Sequence, residues 1–139
     1  MIQPYKPDKS ELETDDRFPS GRWKGLFLQT TFNAGRCWMQ LFLDFFDGHL
    51  HGQGSDVVGD FMLEGEYDLE TGKVWFQKHY RHYRVYYDGR HNGKAISGIW
   101  HLPDSQNRFV IWDETMGDPT IGSLEAEAGV TVEGGTLAT

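Results

Sequence analysis

Between residues 21 and 113, apolar side chains recur at every second position in one segment after another. "GRWKGLFLQT" puts Trp23, Gly25 and Phe27 on one face. "CWMQLFLDFF" puts Cys37, Met39, Leu41, Leu43 and Phe45 on one face and Trp38, Gln40, Phe42, Asp44 and Phe46 on the other. Neighbouring side chains of a strand point to opposite faces, so a period of two selects strands and excludes amphipathic helices. The pattern continues in "DFMLEGEYD", "KVWFQKHY", "YRVYYDG", "KAISGIWHL" and "RFVIWDE".

The connections are short. Asp47-Gly48 and the Asn-Gly pair in "RHNG" (90–93) are hairpin signals, "LETG" reads as a turn and "PDSQN" as a loop. About eight strands at a spacing of roughly 8–12 residues predict an all-β barrel or sandwich. No long crossover is needed, so an up-and-down meander is favoured over a Greek key. Closure removes the exposed edges of such a meander. The expected fold is therefore all-β, an eight-stranded antiparallel up-and-down β-barrel. Residues 1–20 read as an extended N-terminal arm, 21–113 as the barrel domain and 114–139 as a C-terminal tail, in which "SLEAEAG" could form a short helix.

The element "GRWKG" (21–25) at the head of this meander resembles the Gly-x-Trp that opens the first strand of the calycins, the superfamily of lipocalins, fatty-acid-binding proteins and avidins. The short hairpins look more like avidins than lipocalins. The resemblance implies a calycin-like barrel, with Trp23 as a structural residue at one end. It also implies a basic side chain from a late strand packed across that Trp, and Arg108 is the candidate. Nitrobindin-like haem barrels share the opening element but use a late histidine. No histidine follows His101 here, which counts against haem, and no cofactor is expected.

Composition narrows the function classes. The net charge of −8 and the absence of a basic block give no footprint for nucleic acid. No segment approaches the roughly 18 apolar residues of a membrane helix, and the polar start shows no signal-peptide core. The expectation is a soluble, cytoplasmic protein with neither nucleic-acid nor membrane partners. Cys37 is the single cysteine, which excludes an internal disulfide and a Cys-rich zinc site. Alternation places it among apolar residues as an inert thiol.

The stretch "HGQGSDVVGDFMLEGEY" (51–67) is dense in glycine. A dinucleotide fingerprint would need its third glycine where Val57 stands, followed by a helix. The alternation that follows is that of a strand. Gly52, Gly54, Gly65 and Gly98 read instead as structural positions where a tightly coiled barrel leaves no room for a side chain.

Asp56 falls on the face of Leu50, Gly52 and Gly54, and Lys78 on the face of Val74, Phe76 and Tyr80. If both faces point inward, two charges enter a barrel, and unpaired buried charges are very costly. Pairing Asp56 with Lys78 resolves the cost. The pair could be a structural ion pair, a turn-forming Asp56, or part of a polar pocket. The predicted ligand-binding set is Asp56, Lys78, Tyr80, Tyr67 and Trp100, with Tyr83 and Tyr87 as further phenols that could line a cavity. His49 and His51 share a face, but no third ligand is evident, so no metal site is expected. Neither a nucleophile elbow nor a zinc-protease motif is present, and no catalytic residue is named.

Three aromatic side chains, Trp38, Phe42 and Phe46, fall on the outer face of one strand, with Trp75 and Trp112 on similar positions. A contiguous apolar patch needs a cover. They are the candidate interface of a homo-oligomer, with a dimer favoured. The leading functional expectation is a barrel that binds a small molecule in its mouth without catalysis. The alternatives are a small enzyme using Tyr with Asp or Lys as acid and base, or a solid barrel that serves as a protein-interaction module.

Overall fold

In the computed structural model, residues 6–30 and 35–115 are described. The strands are β1 (Gly21–Leu28), β2 (Arg36–Phe46), β3 (His49–Asp56), β4 (Asp60–Tyr67), β5 (Lys73–His79), β6 (Arg84–His91), β7 (Ile96–Leu102) and β8 (Ser105–Asp113). Each pairs antiparallel with the next, and β8 pairs back onto β1, closing an eight-stranded up-and-down barrel. A 3-10 turn at Lys9–Glu11 precedes it. Among the described residues no helix is long and apolar enough to cross a membrane. The tail helix considered for "SLEAEAG" lies outside the described residues.

Turn chemistry sets the registers. Asp47 and Gly48 both have positive φ, 46° and 77°, as a two-residue hairpin with the twist of its strands requires. The Asn92-Gly93 turn forms one step later than "RHNG" suggests, because β6 continues through Arg90 and His91. There the Asn92 side chain accepts from the backbone N–H groups of Lys94 and Ala95, both at 2.9 Å. The segment "PDSQN" is mostly strand: β7 ends at Leu102 and β8 begins at Ser105.

Two glycines show why the sheet can coil so tightly. A Cβ on Gly54 would run into the carbonyl oxygen of Gln40 and sit 2.8 Å from the Phe61 ring, while one on Gly98 would strike the carbonyl of Asp88. These obstacles are largely backbone, so they cannot rotate away. Gly52 meets the Phe42 carbonyl in the same way.

The inward faces build one continuous core, including Trp23, Leu41, Leu43, Phe45, Leu63, Phe76, Phe109 and Ile111. Most of the interior is therefore solid. One end is closed by the N-terminal arm. Phe18 is fully buried there, with ring centroids 4.8 Å from Tyr67 and 5.4 Å from Phe45. Backbone bonds dock the arm: the Glu13 N–H donates to the Phe45 carbonyl at 2.8 Å, and the Phe45 N–H donates to the Ser20 hydroxyl at 2.9 Å. Arg17 lies over the Phe18 ring and donates to the Leu69 carbonyl at 2.7 Å. Its pairing with Asp15 at 2.9 Å holds that carboxyl down to about 2.

Trp23 is buried at this closed end and donates its indole N–H to the Pro19 carbonyl at 2.8 Å. Arg108 is not its partner. Trp23 pairs across to Asp113, whereas Arg108 pairs with Ile99 nearer the opposite end and is exposed. β1 and β8 are antiparallel, so the start of one meets the end of the other. The arm, through Phe18 and Pro19, does the closing that the calycin resemblance assigned to a basic side chain.

On the outer surface, Trp38 and Phe42 are 45 % and 51 % exposed, but Phe46 and Trp112 are only 6 % exposed. Phe46 packs against the rings of His49 and His51 at 5.8 and 5.2 Å. Trp112 belongs to an apolar cluster with Leu26, Leu28, Ala95 and Val110. Phe46 is thus not an available interface residue.

Candidate functional site

The end opposite the arm carries the β3–β4 turn, the β5–β6 connection and the β7–β8 turn. Asp56 is the last residue of β3 and points its side chain inward, where it is wholly buried. Its Oδ1 accepts from the Val58 N–H at 2.8 Å and more weakly from Gly59 at 3.4 Å. Reciprocal backbone bonds between Asp56 and Gly59, each 3.1 Å, complete the turn. Its Oδ2 accepts from Lys78 Nζ at 2.6 Å and from the Tyr80 hydroxyl at 2.5 Å. One carboxylate therefore shapes the turn with one oxygen and anchors the barrel interior with the other.

Lys78 is 1 % exposed, on the inward face of β5. Its ammonium lies 4.3 Å from the Phe27 ring centroid and 4.5 Å from that of Phe61, and donates to the Tyr87 hydroxyl at 3.1 Å. Ring faces carry partial negative charge and stabilise a desolvated cation. Burial nevertheless pulls the Lys78 pKa down to about 8, opposed by the charge and hydrogen bond of Asp56. Tyr80 and Tyr87 are pushed up, foremost by burial, with Asp56 adding to both.

A cavity of about 130 Å³ opens at this end beside the cluster. Phe27, Val58, Val85, Trp100 and Leu102 give it apolar walls; Tyr80, Tyr83, Tyr87 and Gln29 complete it. The Trp100 indole N–H is held by the Leu28 carbonyl at 2.8 Å, and its ring meets Phe27 edge-on at 6.4 Å. The Tyr80 N–H donates to the Tyr83 carbonyl at 2.8 Å, closing the β5–β6 connection. Larger depressions of about 790 Å³ lie on the outer faces, one beside Trp75 and Tyr86 and another beside Met62 and His79. They open broadly to solvent and do not reach the buried charges.

The structure brings Asp56, Lys78, Tyr80 and Trp100 to one end of the barrel. Tyr67 is not among them. It ends β4 at the closed end, where its hydroxyl donates to Glu13 Oε1 at 2.6 Å and burial raises its pKa. Phe27 and Phe61, which flank the ammonium, were legible only as inward positions; no motif marks them as a cation's walls. Cys37 is buried, its thiol pushed up by desolvation while Gln29 donates to its sulfur at 3.6 Å. Among the described residues, no three His, Cys, Asp or Glu side chains form a group able to hold a metal ion.

The arrangement constrains its chemistry. Asp56 already accepts from four donors, so as a general base it would have to give one up. Protonated Lys78 is likewise engaged and has no free lone pair. What lies open to a visitor is the cavity. In comparisons with protein-family models, curated proteins and solved structures, none matches this chain.

Proposed function

We propose that the protein binds a small, ring-sized, mainly apolar molecule in the open end of its barrel, without catalysis. The observation that carries this reading is the cavity of about 130 Å³, walled by aromatic and aliphatic side chains at the end that the arm leaves uncovered. An apolar cavity of about 150 Å³ is enough for benzene, whereas drug-sized ligands need roughly 300–1,000 Å³. A single ring with a short substituent matches the space; a haem or a long acyl chain does not. The ion pair stiffens the floor, since Asp56, Lys78, Tyr80 and Tyr87 hold one another in place.

Titration with toluene and with phenol, followed by the NMR signal of the Trp100 indole N–H, tests the reading. Saturable shifts are expected with either ring and none with palmitate. Lack of response to both rings up to their solubility would overturn it. Kinship with the calycins remains part of this proposal, supported by the barrel and by the position of Trp23. Self-association through β2 is proposed on the exposure of Trp38 and Phe42; sedimentation of Phe42→Asp against the parent tests it, with no change in mass contradicting it.

A further inference from the structure

We infer that the ligand carries a neutral hydrogen-bond acceptor, an aryl carbonyl, and that the Tyr87 hydroxyl is the group that recognises it. This rests on the mouth being a ligand site. Tyr87 lines the cavity and is 3 % exposed. Its hydroxyl has one partner among the described residues, Lys78 Nζ at 3.1 Å. An ammonium only donates, so the phenol oxygen accepts and its proton has no acceptor among the described residues. Tyr80 differs, because its proton goes to Asp56. The indole N–H of Trp100 is also engaged, by Leu28.

The Tyr87 ring is held in place beside the cavity. It stacks on Phe76 with centroids 4.8 Å apart and meets Phe109 edge-on, also at 4.8 Å. A buried donor without an acceptor is costly, and a ligand that supplies one removes that cost. The ammonium behind the hydroxyl polarises it and strengthens its donation. Charge decides between acceptors. Asp56 and Lys78 cancel each other, so no cation is left over for a carboxylate, and burying an unpaired anion is strongly unfavourable. A carbonyl presents the acceptor without the charge.

The contact also depends on the protonation of Lys78, whose pKa is about 8. Above that pH its amine can accept the Tyr87 proton and compete with the ligand. The titratable groups facing it are Asp56 from β3, Cys37 from β2, Tyr80 beyond β5 and Tyr87 from β6, with Tyr83 in the connection acting on Tyr87. Phenolic partners raised above their ordinary range do not titrate there.

The experiment is calorimetric titration of the whole chain with acetophenone, ethylbenzene and benzoate, on the parent and on Tyr87→Phe. Acetophenone and ethylbenzene have nearly the same shape and differ in the acceptor. The parent should bind acetophenone about tenfold more tightly than ethylbenzene, and benzoate least. Tyr87→Phe should abolish the preference for acetophenone over ethylbenzene. Raising the pH from 7 to 9 should shrink the preference in the parent, a readout that stands even if the variant does not fold. Equal affinities in the parent, or a preference that survives in Tyr87→Phe, would overturn the inference but leave the ligand site standing. Failure of all three probes to bind would overturn both.

Discussion

Replacing Lys78 with Met tests how the barrel carries its buried charges. The substitution keeps the length and apolar stem of the side chain but removes the ammonium. Asp56 Oδ2 then loses the donor at 2.6 Å and retains only Tyr80, in a place where its side chain has no solvent contact. Breaking a buried pair by removing one partner costs about 3–5 kcal/mol, because a buried charge is left uncompensated. That is a large share of the roughly 5–15 kcal/mol that holds a domain folded. The double variant Asp56→Asn/Lys78→Met removes both charges. An Asn at 56 can still accept from the Val58 N–H, and its amide can donate to the Tyr80 hydroxyl, which then turns acceptor. It should recover about 2 kcal/mol or more relative to Lys78→Met alone. Equilibrium unfolding in urea, analysed by linear extrapolation, measures the parent, Lys78→Met, Asp56→Asn and the double variant. If Lys78→Met lies within about 1 kcal/mol of the parent, or the two substitutions simply add, the charges are not coupled as their geometry requires.

Gly54→Val should destabilise by about 3 kcal/mol, because the Gln40 carbonyl and the Phe61 ring occupy the space of its side chain; an unchanged melting temperature would remove the close-packing explanation. Phe18→Ala should cost about 3–5 kcal/mol by opening the closed end against Tyr67, Phe45 and His91, whereas a detachable arm would give less than about 1 kcal/mol. Stability should also depend on pH in two directions. Lys78 titrates near 8 in the folded state against an ordinary 10.5, so between those values the unfolded chain holds more protons and stability rises with pH. Tyr67, Tyr80 and Tyr87 keep their protons above the ordinary 10, so stability falls beyond it. Urea midpoints from pH 7 to 11 should pass through a maximum; a steady decline from pH 7 would contradict the burial of Lys78.

Alternation in the sequence reveals which face a residue takes, and this made the barrel and the inward placement of Asp56 and Lys78 legible. It does not reveal height along the barrel. Tyr67 and Tyr80 both alternate inward, yet Tyr67 ends β4 beside the turn into β5, and Tyr80 follows the far end of β5. The two phenols therefore stand at opposite ends, and only Tyr80 meets the charges. Arg108 fails as a partner of Trp23 on both counts: it precedes inward Phe109 and so faces outward, and the antiparallel register pairs Trp23 with Asp113. Outward parity likewise does not guarantee exposure, as Phe46 and Trp112 demonstrate. The role of Phe18 was hidden because it precedes the alternating region and is buried through the path of the arm rather than through a strand.

A crystal structure of the protein soaked in toluene tests the mouth as a ligand site most directly. Density for one ring is expected among Phe27, Tyr87, Trp100 and Leu102, with the Asp56–Lys78 pair unmoved beneath it. A cavity that stays empty at saturating toluene, or one closed by the side chains that line it, would contradict that reading.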